Sequence, residues 1–219
     1  MKAMLLAAGR GERMRPLTLT TPKPLLPVGD MTLIDHALKQ LKLAGFREVV
    51  INVHYLGEQI IAHCGDGSRF DLSIQYSIEE TLLETGGGIY RALPLLGDEP
   101  FLVLSADVWT DFPLHTLMQK KISGAHLVFV DNPTFHPVGD YGLDENGRVH
   151  LDGVVRYTYA NVGVLHPRVF DDFSAGAFRL SSVFNGAILK NAVTGERYSG
   201  VWHNVGTPDE LSCLREKMQ

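Results

Sequence analysis

Short apolar runs alternate with segments of helical period along the first two thirds of the chain, and this alternation restricts the fold more than any other feature. Lys2 to Ala8, apolar after its first residue, reads as a buried strand that ends in a Gly-rich loop. Ile34, Ala37, Leu38 and Leu41 then recur at helical spacing, with Thr32 as N-cap and Gly45 at the stop. Val49–Val53 is the next strand, Leu56–His63 a short helix, Ser73–Ser77 a strand and Gly88–Leu93 a helix. Phe101–Leu104 is a further buried strand, followed by a helical segment around Leu114–Gln119 and a strand over Leu127–Val130. Such alternation predicts an α/β chain with a mainly parallel, doubly wound sheet flanked by helices.

After Asp131 the pattern changes. Asp144-Glu145-Asn146-Gly147 is a turn signal between Tyr141–Leu143 and Arg148–His150. Together with a strand through Tyr159–Leu165, it predicts a small antiparallel addition. Val183, Phe184, Ala187 and Ile188 mark another helix, and Thr207-Pro208-Asp209-Glu210 opens a last one as a capping box. The reading is one domain over residues 1–219, with parts at about 1–131 and 132–200 and a terminal helix at about 208–217.

Function classes narrow on charge and cysteine content. The net charge of −5 leaves no global basic field to hold nucleic acid, so an anionic ligand needs a local cluster of cations. Cys64 and Cys213 are the only cysteines and lie far apart, which argues against a disulfide framework or structural zinc site. The first apolar run is too short for a membrane span or a signal peptide, and the expected compartment is the cytoplasm. Oligomeric state is not legible.

The local cluster of cations exists. Gly9-Arg10-Gly11-Glu12-Arg13-Met14-Arg15-Pro16 follows the first strand directly, and Lys23 lies just beyond, between Pro22 and Pro24. It fits neither the P-loop spacing nor the dinucleotide fingerprint. What remains is a loop whose two glycines let backbone amides approach an anion, beside four cations and one acid. A triphosphate accounts for it. A solvated basic loop is the alternative, and the two prolines that stiffen the backbone around Lys23 argue against it.

Three weaker signals follow. Asp107 stands just past a central strand, where ligands of open α/β sheets bind, and is a natural Mg²⁺ ligand or else a cap; Asp111 is a less apt second choice. Glu84-Thr85-Gly86-Gly87-Gly88, read as a loop ahead of a helix, could lay amides against a flat base. Val201–Pro208 is an apolar strand ending in polar residues. The nine histidines show no paired metal-ligand spacing, and Ser181-Ser182 lacks a nucleophile elbow.

Taken in order, Leu6 to Thr18, then Pro22-Lys23-Pro24, Glu84-Thr85-Gly86-Gly87, Asp107 and Val205-Gly206-Thr207-Pro208 resemble the signature of sugar-1-phosphate nucleotidyltransferases over essentially the whole chain. Its compact length is most similar to the N-acetylmuramate-1-phosphate uridylyltransferases of cell-wall recycling, with short mannose-1-phosphate guanylyltransferases or glucose-1-phosphate thymidylyltransferases as same-class alternatives. The resemblance implies a Rossmann-like nucleotidyltransferase fold whose antiparallel portion binds sugar. It implies that Ala8, Gly9, Gly11, Glu12, Arg13 and Lys23 meet the triphosphate of a nucleotide, most similar to UTP, and that Gly86 and Gly87 lie by its base. Arg13, Lys23 and Asp107 would carry catalysis, Asp107 and Asn204 would hold Mg²⁺, and Ser105, Asp140 and Asn161 would meet the sugar phosphate. There are departures. Asn204 stands where the family has a second metal aspartate, and Ser105-Ala106 precedes the first. No lysine occurs between Lys121 and Lys190 to hold the sugar phosphate, so Arg148 or Arg156 is expected to substitute. The Asn204 departure also motivates a different-class reading, a nucleotide- or sugar-sensing pseudoenzyme.

Overall fold

The structure is a computed structural model that describes residues 1–218. Its sheet runs in the spatial order Ser73–Ile78, Glu48–Val53, Ala3–Leu6, Phe101–Ser105, Arg156–Leu165, Ala125–Val130 and Val193–Arg197. The first four strands are mutually parallel. Arg156–Leu165 then runs antiparallel to both of its neighbours.

Both faces of the parallel strands are covered, which is why their sequences read as apolar runs. Ala3, Leu5, Val49, Ile51, Leu102 and Leu104 belong to one core with helix α1 (Leu33–Leu43) and helix α2 (Gly57–Cys64). Met4, Val50, Phe101 and Val103 point the other way, into a second core with α3 (Glu84–Leu96) and α4 (Leu180–Leu189). The alternation is the period of two that a pleated strand imposes. A third, small core joins Leu211 and Leu214 of α5 (Pro208–Lys217) to Met14, Leu26, Val28, Leu33 and Val205. The last helix therefore packs beneath the cation-rich loop.

Local signals hold where their chemistry is local. Thr32 caps α1 in a full capping box with Asp35, and Thr207 accepts from Glu210 N at 3.3 Å. Asp144 Oδ1 accepts from Asn146 N and Arg148 N, closing the expected turn between Tyr141–Leu143 and Val149–His150.

Three expectations change. The segment Leu114–Gln119 is a 3₁₀ helix. The strand expected at Tyr159–Leu165 begins at Arg156 and lies inside the main sheet, separating Phe101–Ser105 from Ala125–Val130. Its Ala160, Val162, Val164 and Leu165 are at most 1% exposed, so the core claims it. The third change concerns the triple glycine: the helix expected from Gly88 begins at Glu84, so Gly86–Gly88 are helical and buried. Among the described residues no helix is long and apolar enough to cross a membrane.

Candidate active site

The carboxyl ends of the central strands open into a cleft of two connected chambers. The smaller, about 200 Å³, is lined by Leu6, Ala7, Ala8, Gly9, Lys23, Pro24, Asn52, Leu82 and Asp107. The larger, about 490 Å³, is lined by Arg13, Asp140, Asn161, Arg179, Trp202 and Asn204 among others. Leu6, Glu84, Thr85 and Ser105 line both and form the passage between them. A cleft outside the carboxyl ends of parallel strands is the ligand site of open α/β sheets.

The loop after the first strand is tightly fitted to its neighbours. Gly11 has φ +60°, and a Cβ there would stand 3.0 Å from Thr18 Cγ2 and 3.2 Å from Lys23 Cβ. The Gly11 carbonyl accepts from Thr18 Oγ1 at 2.7 Å, and the Thr18 carbonyl accepts from Tyr55 Oη at 2.8 Å. These bonds hold the loop against the short 3₁₀ turn Lys23–Leu25, and the Lys23 ammonium reaches Asp107 as an ion pair. Arg13 and Arg15 are exposed, and neither side chain makes an ion pair or a hydrogen bond among the described residues. Arg10 lies 3.8 Å from Glu12.

Asp107 and Asn204 are brought together by a two-stranded ribbon. Val108–Thr110 pairs antiparallel with Trp202–Asn204, and Val205 N donates to the Asp107 carbonyl at 2.8 Å. Asp107 carries a carboxylate and Asn204 an amide oxygen, donor types that suit a divalent cation, and their side chains line different chambers of the cleft. Asp111 faces elsewhere: its Oδ1 accepts from Val201 N at 2.7 Å and from the Tyr198 hydroxyl. It is not a second choice of metal ligand.

Asn52, missed by the sequence reading, stitches the floor. Its Oδ1 accepts from Ala7 N at 2.9 Å, and its Nδ2 donates to the buried Glu79 at 2.8 Å. Glu79 in turn accepts from Leu83 N at 3.0 Å.

In the larger chamber, Asp140 accepts from Tyr159 N at 2.8 Å and lies 3.1 Å from His136 Nε2. Asn161 sits at φ +57° within a register shift of the long strand, a bulge that turns its side chain into the chamber wall. Tyr141 and Tyr159 line the same chamber. Burial pushes the Tyr141 hydroxyl up to about 12 and that of Tyr159 above its ordinary value, so both remain protonated donors. The Tyr159 hydroxyl is buried and has no hydrogen-bond partner.

The sequence-derived residues thus separate. Ala8, Gly9, Lys23 and Asp107 line the smaller chamber, Arg13, Asp140, Asn161 and Asn204 the larger, and Ser105 both. Gly11, Glu12, Gly86 and Gly87 line neither. The idea that the glycine amides face a base needs correction, because Gly86 N and Gly87 N both donate to the Phe178 carbonyl. Arg148 and Arg156 do not line the cleft either: Arg148 bridges to Thr194, and Arg156 donates to the Asp140 carbonyl.

With this geometry in place, comparison with known proteins is decisive. A family model described as nucleotidyl transferase matches residues 2–153. The chain belongs to the nucleotidyl transferase family. A protein from Neisseria meningitidis serogroup B named N-acetylmuramate alpha-1-phosphate uridylyltransferase is 48% identical, with 94% of each chain covered. Its counterpart of the same name from Caulobacter vibrioides is 32% identical over 94% of this chain and 92% of its own. A solved structure from Bacillus anthracis, described as a glucose-1-phosphate thymidylyltransferase, superposes with a TM-score of 0.88 at 20% identity, covering 100% of this chain and 95% of that one. At that identity the superposition establishes the shared Rossmann-like fold.

Proposed function

We propose that this nucleotidyltransferase transfers the uridylyl group of UTP to N-acetylmuramate α-1-phosphate and releases pyrophosphate, in the cytoplasm and in the service of cell-wall recycling. The observation that carries the reading is the 48% identity to a uridylyltransferase of that name, spread over 94% of both chains. The two-chamber cleft supports it: a chamber bordered by the Gly9 loop and Lys23 shares Ser105 with a second of about 490 Å³, roomy enough for a sugar.

The reaction is an in-line displacement at the α-phosphorus. The attacking oxygen belongs to a phosphate that is already anionic near neutral pH, so no general base is required. What the protein supplies is position and charge neutralisation. The Gly9 loop and Lys23 take the triphosphate, and Arg13, at the lip of the larger chamber, faces the charge that builds between the two substrates. Asp107 and Asn204 would hold Mg²⁺, which when bound neutralises phosphate charge. Lys23, paired with Asp107 in this structure, would exchange that partner for phosphate when the nucleotide binds. Ser105 and Asn161 orient the sugar phosphate from the passage and the bulge.

A matrix of nucleoside triphosphates against sugar-1-phosphates, scored by pyrophosphate release with and without Mg²⁺, tests the reading. UTP with N-acetylmuramate α-1-phosphate should give the highest kcat/KM. A preference for GTP with mannose-1-phosphate would overturn the substrate assignment, and nucleotide binding without pyrophosphate release would favour a sensor.

A further inference from the structure

The triple glycine at the start of α3 receives a segment of chain that carries an unpaired cation into the cleft. Gly86 N and Gly87 N donate to the Phe178 carbonyl at 2.9 and 3.0 Å, and Phe178 N donates to the Leu83 carbonyl at 3.2 Å. On the other side, Leu180 N donates to Thr85 Oγ1 at 3.0 Å. A Cβ on Gly86 would stand 2.6 Å from the Phe178 ring and 2.9 Å from the Arg179 carbonyl carbon. The close approach therefore requires glycine. Both neighbours of Arg179 are tied to α3, so the backbone that presents its guanidinium is held in place.

Arg179 lines the larger chamber and not the smaller one that contains Lys23 and Asp107. Its side chain is exposed and has no hydrogen-bond or ion-pair partner among the described residues. The other arginine on the chamber wall, Arg13, belongs to the loop on the nucleotide side. Of the two acidic groups on the chamber wall, Asp140 is already engaged by Tyr159 N and His136, and Glu84 makes no ion pair with Arg179. An anion on the sugar, away from the reacting phosphate, would therefore meet Arg179.

We propose that Arg179 is a specificity-determining residue that pairs with a carboxylate carried by the sugar of the sugar-1-phosphate. The inference rests on the function proposed above. N-acetylmuramate differs from N-acetylglucosamine by a lactyl ether whose carboxylate is set off from the anomeric phosphate by the sugar ring. A guanidinium is the side chain best matched to a carboxylate, because its planar fork can donate two parallel hydrogen bonds.

The test compares the wild type with Arg179→Gln and Arg179→Lys, using UTP and either N-acetylmuramate-1-phosphate or N-acetylglucosamine-1-phosphate. Affinity for each sugar phosphate is measured by calorimetry alongside kcat/KM. The Gln variant should lose on the order of 10- to 100-fold in kcat/KM and affinity for the muramate, the usual range for a lost charge-assisted hydrogen bond. It should then bind the muramate no better than the wild type binds the glucosamine, with the KM for UTP unchanged and Lys restoring part of the loss. Unaltered discrimination between the two sugars would overturn the proposal. So would an equal loss on both, which would place Arg179 on the anomeric phosphate. Wild-type preference for a sugar other than N-acetylmuramate would instead overturn the function on which the inference rests, a result read from the wild type alone.

Discussion

Lys23 and Asp107 neutralise one another in the free protein, and that pairing sets what their substitution should do. The two side chains are only 15% and 23% exposed, so removing one partner leaves the other charge largely withdrawn from water and unpaired. Lys23→Ala should therefore lower the melting temperature while leaving the protein folded at assay temperature, because Asp107 still borders the open cleft. It should lower kcat/KM by on the order of 100-fold or more, the cost typical of losing a donor aimed at transition-state charge. A variant with wild-type kcat/KM would remove Lys23 from the chemistry. Asn204 poses the complementary question. It supplies an amide oxygen where a second carboxylate would bind a divalent cation more tightly. Asn204→Asp should lower the Mg²⁺ concentration for half-maximal activity and tighten Mg²⁺ binding in calorimetry without activity turnover. If Asn204 serves only the ribbon backbone, neither quantity will move.

Helix α5 shares a small core with the cation loop through Met14. Leu211 and Leu214 are buried against Met14, Leu26 and Val28, and Arg215 Nε donates to the Pro27 carbonyl at 2.8 Å. Leu214→Ala should cost about 2–5 kcal/mol by loss of burial and the cavity left behind. Because Met14 shares that core, the damage should also reach the loop, and the KM for the nucleotide should rise in the folded fraction. Chemical denaturation and steady-state kinetics on one preparation separate the two effects. A lower midpoint with an unchanged KM would show that the loop holds its shape without the helix.

The whole molecule joins its far strand to the sheet through a charged contact as well as an apolar one. Glu196 on the edge strand lies 2.9 Å from His126 Nε2 and 3.2 Å from Lys120 Nζ. The hydrogen bond from His126, followed by that from Lys120, brings the Glu196 carboxyl down to about 2. A folded-state value below the unfolded one stabilises the protein at pH values above the ordinary carboxyl range. That stability is lost as pH falls from about 4.5 toward about 2. Glu196→Gln should therefore lower the melting temperature at pH 7 and flatten its dependence on pH across that window, the two proteins converging toward pH 2. An identical acid profile in both proteins would place the acid-sensitive contact elsewhere. At this scale the division between sequence and structure is also clearest. The α/β class, the caps of α1 and α5, the turn at Asp144–Gly147 and the Gly9 loop with Lys23 were legible, because each depends on residues a few positions apart. The antiparallel strand within the sheet was not, since its place is decided by which distant strands share a core. Nor was the work of Gly86 and Gly87, whose partner Phe178 is remote in sequence, nor the presence of Arg179 in the cleft. Local spacing encodes hydrogen bonds along the chain. The composition of a site built where strands Ala3–Leu6, Phe101–Ser105 and Arg156–Leu165 converge is set only when burial of their apolar faces brings those segments together.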